Sequence, residues 1–444
     1  MTHLIKHIAY CKSKLKFAIK LIIISTIVIK SLLISIHKLY KLEKVFIAYR
    51  GFAHTIIDVS AFLEISPSRS LVIILGEFNN LAPSFSQRNQ VIPLYLGKEK
   101  IISINTRANI DGGLWIWAQV TKRMLKALFL LFRNRKTVIY SDARHVTKLA
   151  AIDFSAKSLQ IPQEKAEQIF SNLEDVHKLA NVGHIVGHEI LFMKNWNVKE
   201  FEHIYKLIDK KIISAALKQI NNNSYACLLI RNKKNSEVIS YENYYIDAIN
   251  LLYSKGFSTV LIGDTGPIRD KLKKESRDIQ KKVLNLQLKN YKESQIFDFI
   301  AAANCNFALG DAGGAWSLLK IFNKPGLLIN GLVSNLIFNV ETLPKLWVYE
   351  KTGIELIDAV RIFNDLFFCE FISSDTNLTQ SKIVQCNNSK DFILEVIKKY
   401  LEEKTYNKPR KMQHKVLEIS HRSKYLELAK NCSYSNEYLK KLRF

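Results

Sequence analysis

Two hydrophobic periods take turns along this chain. Short apolar runs at 45–49, 71–76, 91–96, 137–140, 225–230, 258–262, 307–309 and 327–329 predict buried strands. Between them, 55–63, 113–132, 243–254, 293–303 and 315–322 carry apolar residues at three- and four-residue spacing and predict helices. Strands apolar on both faces, alternating with helices, predict parallel sheets wound on both sides. Residues 144–220 read as mostly helical, and Asn221-Asn222-Asn223-Ser224 as a linker between two such series.

The best-formed unit lies at 304–330. Its strand stops at Gly310-Asp311-Ala312-Gly313-Gly314, a helix runs to Phe322, and Asn323-Lys324-Pro325-Gly326 breaks it before the next strand. That is a βαβ unit with a glycine turn at a strand's C-terminal end. Free N–H groups and missing side chains there admit an anion such as a nucleoside diphosphate. A plain tight connection is the competing reading. Asp311 beside a phosphate would be repelled unless turned away, which favours a capping role for the helix at Ala315.

At 444 residues the chain exceeds one ordinary core. The divisions expected are a basic, apolar helix over 1–42, an N-terminal α/β domain over 43–220, a C-terminal one over 221–385 and a basic helical tail over 386–444. Two sheets in tandem would face each other across a cleft. Within 1–42, residues 17–36 are apolar for about 30 Å of helix, interrupted by Lys20 and Lys30. Basic residues flank both ends, so charge sets no orientation, and no small-residue cleavage site follows. A helix lying in or dipping into one leaflet is favoured over a single span and over an ordinary packed helix.

The net charge of +25 sits largely at the ends, with nine Lys against one Glu in 1–44 and eleven Lys/Arg against three acids in 404–444. Nucleic-acid binders concentrate such charge within a folded module among aromatics, so that class is disfavoured and an anionic membrane surface favoured. Six scattered cysteines without a C-x-x-C pair indicate reduced thiols of a cytosolic protein, not zinc ligands or a disulfide framework. His184 and His188 are four apart, but no acid completes a zinc-protease pattern.

Several polar residues fall at predicted strand ends, where open α/β sheets bind ligands. Gly51, Phe52 and His54 follow the first strand, Arg231 follows 225–230, and Gly263-Asp264 follow 258–262. Each has a structural alternative: a cleft salt bridge for Arg231, a capped turn for Asp264, a hydrogen-bonded histidine for His54. Trp316 is assigned to the core, and Trp115 and Trp117 to core or membrane packing.

The order and spacing of these pieces, from Val45 to about residue 365, resemble a bacterial family of GT-B glycosyltransferases associated with surface-polysaccharide genes, and more distantly O-fucosyltransferase-like enzymes. The matching pieces are Gly51-Phe52-Ala53-His54, Ile230-Arg231, Tyr244 through Gly256, Ile262-Gly263-Asp264, the glycine turn, Lys324-Pro325 with Asn330, and Leu343-Pro344-Lys345-Leu346. The chain departs from the family at Leu229, where relatives usually carry His, and at Asp311, where they often carry a small hydroxyl residue. The resemblance implies two Rossmann-like doubly wound domains facing a cleft. It also implies sugar transfer from a nucleotide-sugar held mainly by the C-terminal domain to a glycan or lipid-linked acceptor, at the cytoplasmic face of the bacterial inner membrane.

On that reading Arg231 offers a bidentate fork to the diphosphate, with Gly310, Asp311, Gly313, Gly314, Asn330 and Lys345 beside it. Asp264 accepts from ribose or base hydroxyls. Gly51 and Phe52 face the acceptor, and His54, then Asp58, is the candidate general base. No D-x-D motif appears in a strand–loop setting, so no obligate metal or cofactor is expected. Two other readings share these features: a membrane-tethered nucleotide or glycan binder without catalysis, and a nucleotide-sugar epimerase or hydrolase.

Overall fold

The computed structural model describes residues 2–39, 42–49, 58–59, 61–63, 65–66, 69–76, 101–105, 113–132, 136–171, 210–220, 224–230, 244–263, 265–286, 291–313, 315–331, 339–349, 357–364, 383–403, 413–419 and 433–442. They form two compact units, Met1–Leu149 and Ala150–Phe444. The helical stretch after residue 149 and the expected basic tail both belong to the second.

The first unit runs α1 (Thr2–Ile34), β1 (Lys44–Ala48), β2 (Ser70–Gly76), β3 (Ile101–Asn105), α2 (Gly113–Leu131), β4 (Val138–Tyr140) and the start of α3 (Ala143–Leu159). Its four strands are parallel, in the order β3-β2-β1-β4. Period-two geometry sends alternate residues of β1 to opposite faces, and both faces are apolar. Val45 and Ile47 join Leu71, Ile73, Ile104, Trp117 and Phe129 in one core, which also takes Ile24, Val28 and Leu32 of α1. Phe46 points the other way, 5.4 Å from Phe62, whose ring lies 6.0 Å from Tyr140.

The expected strand at 91–96 lies outside the described residues. β3, an alternating Ile-Ile-Ser-Ile-Asn edge strand, went unrecognised: one polar residue and neighbouring lysines hide a run this short.

The second unit runs α4 (Gln163–Ser171), α5 (Lys210–Ile220), β5 (Tyr225–Ile230), α6 (Tyr244–Ser254), β6 (Ser258–Gly263), α7 (Gly266–Leu272), α8 (Arg277–Lys281), α9 (Tyr291–Asn304) and β7 (Phe307–Asp311). It continues with α10 (Ala315–Ile321), β8 (Gly326–Gly331), β9 (Val340–Pro344), β10 (Leu346–Tyr349), α11 (Ala359–Asn364), β11 (Ile383–Cys386), α12 (Lys390–Glu402), α13 (His414–Ile419), β12 (Ser433–Tyr434) and α14 (Asn436–Lys441). Six parallel strands lie in the order β12-β9-β8-β7-β5-β6, and β10 and β11 form a separate antiparallel pair.

Helices cover both sides. The Tyr225 hydroxyl donates to Ala301 O of α9 at 2.8 Å. On the other side Phe307 meets Phe257 at 5.0 Å and Tyr400 of α12 at 5.9 Å. Part of the expected basic helical tail packs into this unit. α12, capped by the Ser389 hydroxyl, buries Phe392, Ile393, Val396, Ile397 and Tyr400, while β12 completes the sheet edge. Cys227 and Cys305 are buried free thiols, and burial pushes the Cys227 thiol well up, so it stays protonated and inert.

Ile73→Ala empties a fully buried site in the middle of the first sheet. It should cost about 2–5 kcal/mol, read as a lowered midpoint in the unfolding of the first unit.

Candidate functional site

The strand order of the second unit reverses direction at β5. The chain leaves β5 for β6 on one side, then returns past it to β7, β8 and β9 on the other. Open parallel sheets bind ligands outside the carboxyl ends of their strands at such a switch point. Two sequence-predicted glycines meet there. Gly263 of β6 pairs with Ile230 and Gly310 of β7 with Leu229, the last two residues of β5.

Both glycines hold positive φ, +102° and +134°. A Cβ on Gly263 would run into the Ile230 carbonyl oxygen, and one on Gly310 into that of Leu229. The end of β5 is therefore approached closely from both sides by backbone that only glycine provides, and the next residue in the chain is Arg231.

Gly310 and Asp311 were expected in a turn. They lie inside β7, because pairing with β5 on one side and β8 on the other carries the ladder through to Asp311. Asp311 is buried, and both carboxylate oxygens are occupied. The Tyr244 hydroxyl donates to Oδ1 at 2.9 Å, and the Tyr245 hydroxyl donates to Oδ2. Burial, then the neighbouring carboxylate, pushes the Tyr244 phenol well above its usual range. The Asp311 carbonyl accepts from Trp316 Nε1 at 2.9 Å, so Trp316 is core, as read from the sequence.

Gly313 is half-buried, its carbonyl accepting from Trp316 N at 3.2 Å. α10, which follows, is only seven residues long, so little macrodipole stands behind the turn. Any anion there depends on cationic side chains more than on the helix.

Further along the same edge, Asn330 sits at φ +50° beside a bulge between β8 and β9. Its Oδ1 accepts from Asn388 N at 3.0 Å and Asn388 Nδ2 at 2.9 Å, and Asn388 Nδ2 also donates to Pro344 O at 2.8 Å. This latch fixes the chain entering α12 to the ends of two strands. Lys345 follows directly, buried, its N–H donating to Gly331 O at 2.9 Å.

Gly51, Phe52, His54, Arg231, Asp264 and Gly314 lie outside the described residues. Asp58 is 3% exposed, one residue before the fully buried Val59. Tyr244, Tyr245 and Asn388 were not singled out from sequence. The tyrosine pair opens a segment carrying the family resemblance, and that was the one available signal. Among the described residues no three His, Cys, Asp or Glu side chains come together as a metal site.

No protein-family model matches the chain, and no curated protein matches it. Among solved structures, the chain is similar to the Escherichia coli ADP-heptose lps heptosyltransferase II at 9% identity, covering 68% of this chain and 90% of that one, with a TM-score of 0.40. A glycosyl transferase family 9 protein from Veillonella parvula matches at 11% identity over 70% and 89%, also at 0.40. A UDP-GlcNAc 2-epimerase from Methanocaldococcus jannaschii matches at 14% over 65% and 83%, at 0.34. Likenesses this loose carry no chemistry across.

Gly310→Ala forces a side chain into left-handed backbone and into the Leu229 carbonyl. It should destabilise the second unit by at least about 1–3 kcal/mol in a denaturant titration. Tyr244→Phe should cost about 1.5–3 kcal/mol by removing one of the hydroxyls that hold the buried carboxylate. The pH dependence has a definite sign. The folded state keeps the Tyr244 proton above the ordinary tyrosine pKa of about 10, where the unfolded chain loses it. Wild-type stability should therefore fall as pH rises through that value, and Tyr244→Phe should flatten this alkaline slope in melts at stepped pH.

Proposed function

We propose that the protein is a glycosyltransferase that moves a sugar from a nucleotide-sugar to a glycan or lipid-linked acceptor in bacterial surface-polysaccharide synthesis, working at the cytoplasmic face of the inner membrane. The observation that carries this reading is the glycine-flanked end of β5 at the topological switch of the second sheet. Backbone that only glycine provides closes on the last two residues of β5 there, at the sheet edge where open α/β sheets bind ligands, and Arg231 is next in the chain. A guanidinium at that point suits a diphosphate, which takes two parallel hydrogen bonds from it. Charge building on the leaving diphosphate is what such a donor stabilises.

In the transfer, the bond between the anomeric carbon and the diphosphate oxygen breaks and one to the acceptor oxygen forms. The acceptor proton passes to a general base, and the bonding pair leaves with the nucleoside diphosphate. The deep burial of Asp58 disfavours it as that base and leaves His54 as the candidate. A metal-independent mechanism and inversion at the anomeric carbon are further parts of the proposal. The O-fucosyltransferase resemblance supports inversion.

The test is a thermal-shift series with ADP, GDP, CDP, UDP and dTDP, each with and without EDTA. One nucleotide should stabilise the wild type, indifferent to EDTA, by about 2.7 kcal/mol at a hundredfold excess over its Kd. Arg231→Ala should lose that shift while melting as the wild type does without ligand. His54→Ala should keep the shift and lose transfer by at least about 10²-fold. An Arg231→Ala protein that binds normally would sink the donor-site assignment. A wild type that binds a nucleotide but transfers no sugar would leave a binding protein in its place.

A further inference from the structure

α1 carries two apolar stripes, and the fold uses one. Ile24, Val28 and Leu32, four residues apart, are 1%, 0% and 0% exposed and belong to the core of the first unit. At about 100° per residue, Leu15, Ile22, Thr26, Ile29 and Leu33 lie about 100–160° round the helix from Val28. Leu15, Ile22, Ile29 and Leu33 are 63%, 66%, 41% and 52% exposed.

That outer stripe carries no charge over some 27 Å of helix. Its single hydroxyl is turned inward: Thr26 Oγ1 donates to the Ile22 carbonyl at 2.9 Å. Along the same helix Ser31 Oγ donates to Ile27 O, also at 2.9 Å. A hydroxyl that closes on its own backbone leaves carbon atoms facing outward, the Thr26 methyl among them, which suits a medium without hydrogen-bonding partners. Exposed lysines border the stripe on one flank, Lys12, Lys16 and Lys30. Long basic side chains so placed reach outward to headgroups while their stems stay with the apolar face.

We infer that α1 is an in-plane membrane helix, clamped between the first α/β unit and one leaflet of an anionic bilayer, and not a membrane span. By composition residues 14–34 are long and apolar enough to cross. Crossing, however, would strip Ile24, Val28 and Leu32 from the core and open the sheet face they cover. The apolar stretch begins at Lys14, so only residues 14–23, about 15 Å of helix, precede the first core residue, against a hydrocarbon thickness of about 30 Å. A second copy of the chain is a poorer occupant, because a two-fold pairing of this stripe sets its flanking lysines against each other. Anionic headgroups complement them. The inference rests on the membrane attachment proposed above and is independent of the transfer chemistry.

The test uses the full chain and phosphatidylcholine vesicles with and without phosphatidylglycerol. Wild type should float with the anionic vesicles. Ile22→Asn/Ile29→Asn/Leu33→Asn should reduce flotation by more than about tenfold with an unchanged melting temperature. Val28→Ala should lower the melting temperature and keep flotation. A span predicts similar membrane loss from either face and no change in melting, which would overturn the assignment.

Cys11 is exposed and reports sidedness. In spheroplasts of an expressing bacterium, a membrane-impermeant maleimide should leave Cys11 unlabelled from outside and label it after detergent lysis. Labelling from outside would overturn the in-plane arrangement while leaving attachment intact. A wild type that fails to float, and whose dimer is dissolved by the triple substitution, would overturn attachment itself and identify a second copy as the occupant.

Discussion

The second unit turns on one buried carboxylate. Taking Asp311 out of water is costly unless its oxygens are hydrogen-bonded, and here two adjacent tyrosine hydroxyls take one each. Those tyrosines begin α6, so the bonds pin the start of that helix to the end of β7. The same residue's carbonyl holds the Trp316 indole, which lays its ring against the start of β8. A Cβ on Gly326 would come within 2.8 Å of that ring. One aspartate at the carboxyl end of β7 thus ties together two strands and two helices. Substituting either tyrosine disturbs the geometry of β7 beside the β5 terminus before any ligand is considered.

A free carboxylate at the glycine turn would oppose a diphosphate, and the sequence alone leaves that conflict standing. Two hydroxyl dipoles disperse the charge and hold it on the α6 face of the sheet, so repulsion at the strand ends is reduced. The acid at position 311 then has a physical reading. The acid is scaffold, its side chain turned into the core and its backbone part of β7.

What was legible in the sequence follows the range of the forces involved. The strands at 225–230 and 258–263 and the helices at 244–254 and 315–321 were readable because local periodicity encodes them. The strand through Gly310-Asp311 was not, since glycine locally signals a turn and only pairing on both sides overrides it. The Tyr244–Asp311 bond spans 67 residues, and the Asn330–Asn388 latch 58. No local pattern announces either. Asn330 in particular was assigned to ligand binding through the family resemblance, and its side-chain oxygen is engaged in holding β8, β9 and the entry to α12 together.

The N-terminal helix shows the same limit. In the sequence, 17–36 is apolar nearly all round, so hydropathy alone cannot choose among a span, a core helix and an interfacial one. The fold breaks that symmetry by burying one stripe against β-strand side chains. A helix half committed to a water-soluble core is held beside the first sheet, so whatever covers its outer stripe must lie along the helix and meet the lysines at its borders. A bilayer surface satisfies both conditions with the chain as it stands. In that arrangement the first unit rests against the leaflet in which a lipid-linked acceptor would be anchored, and the attachment requires no segment to cross the membrane.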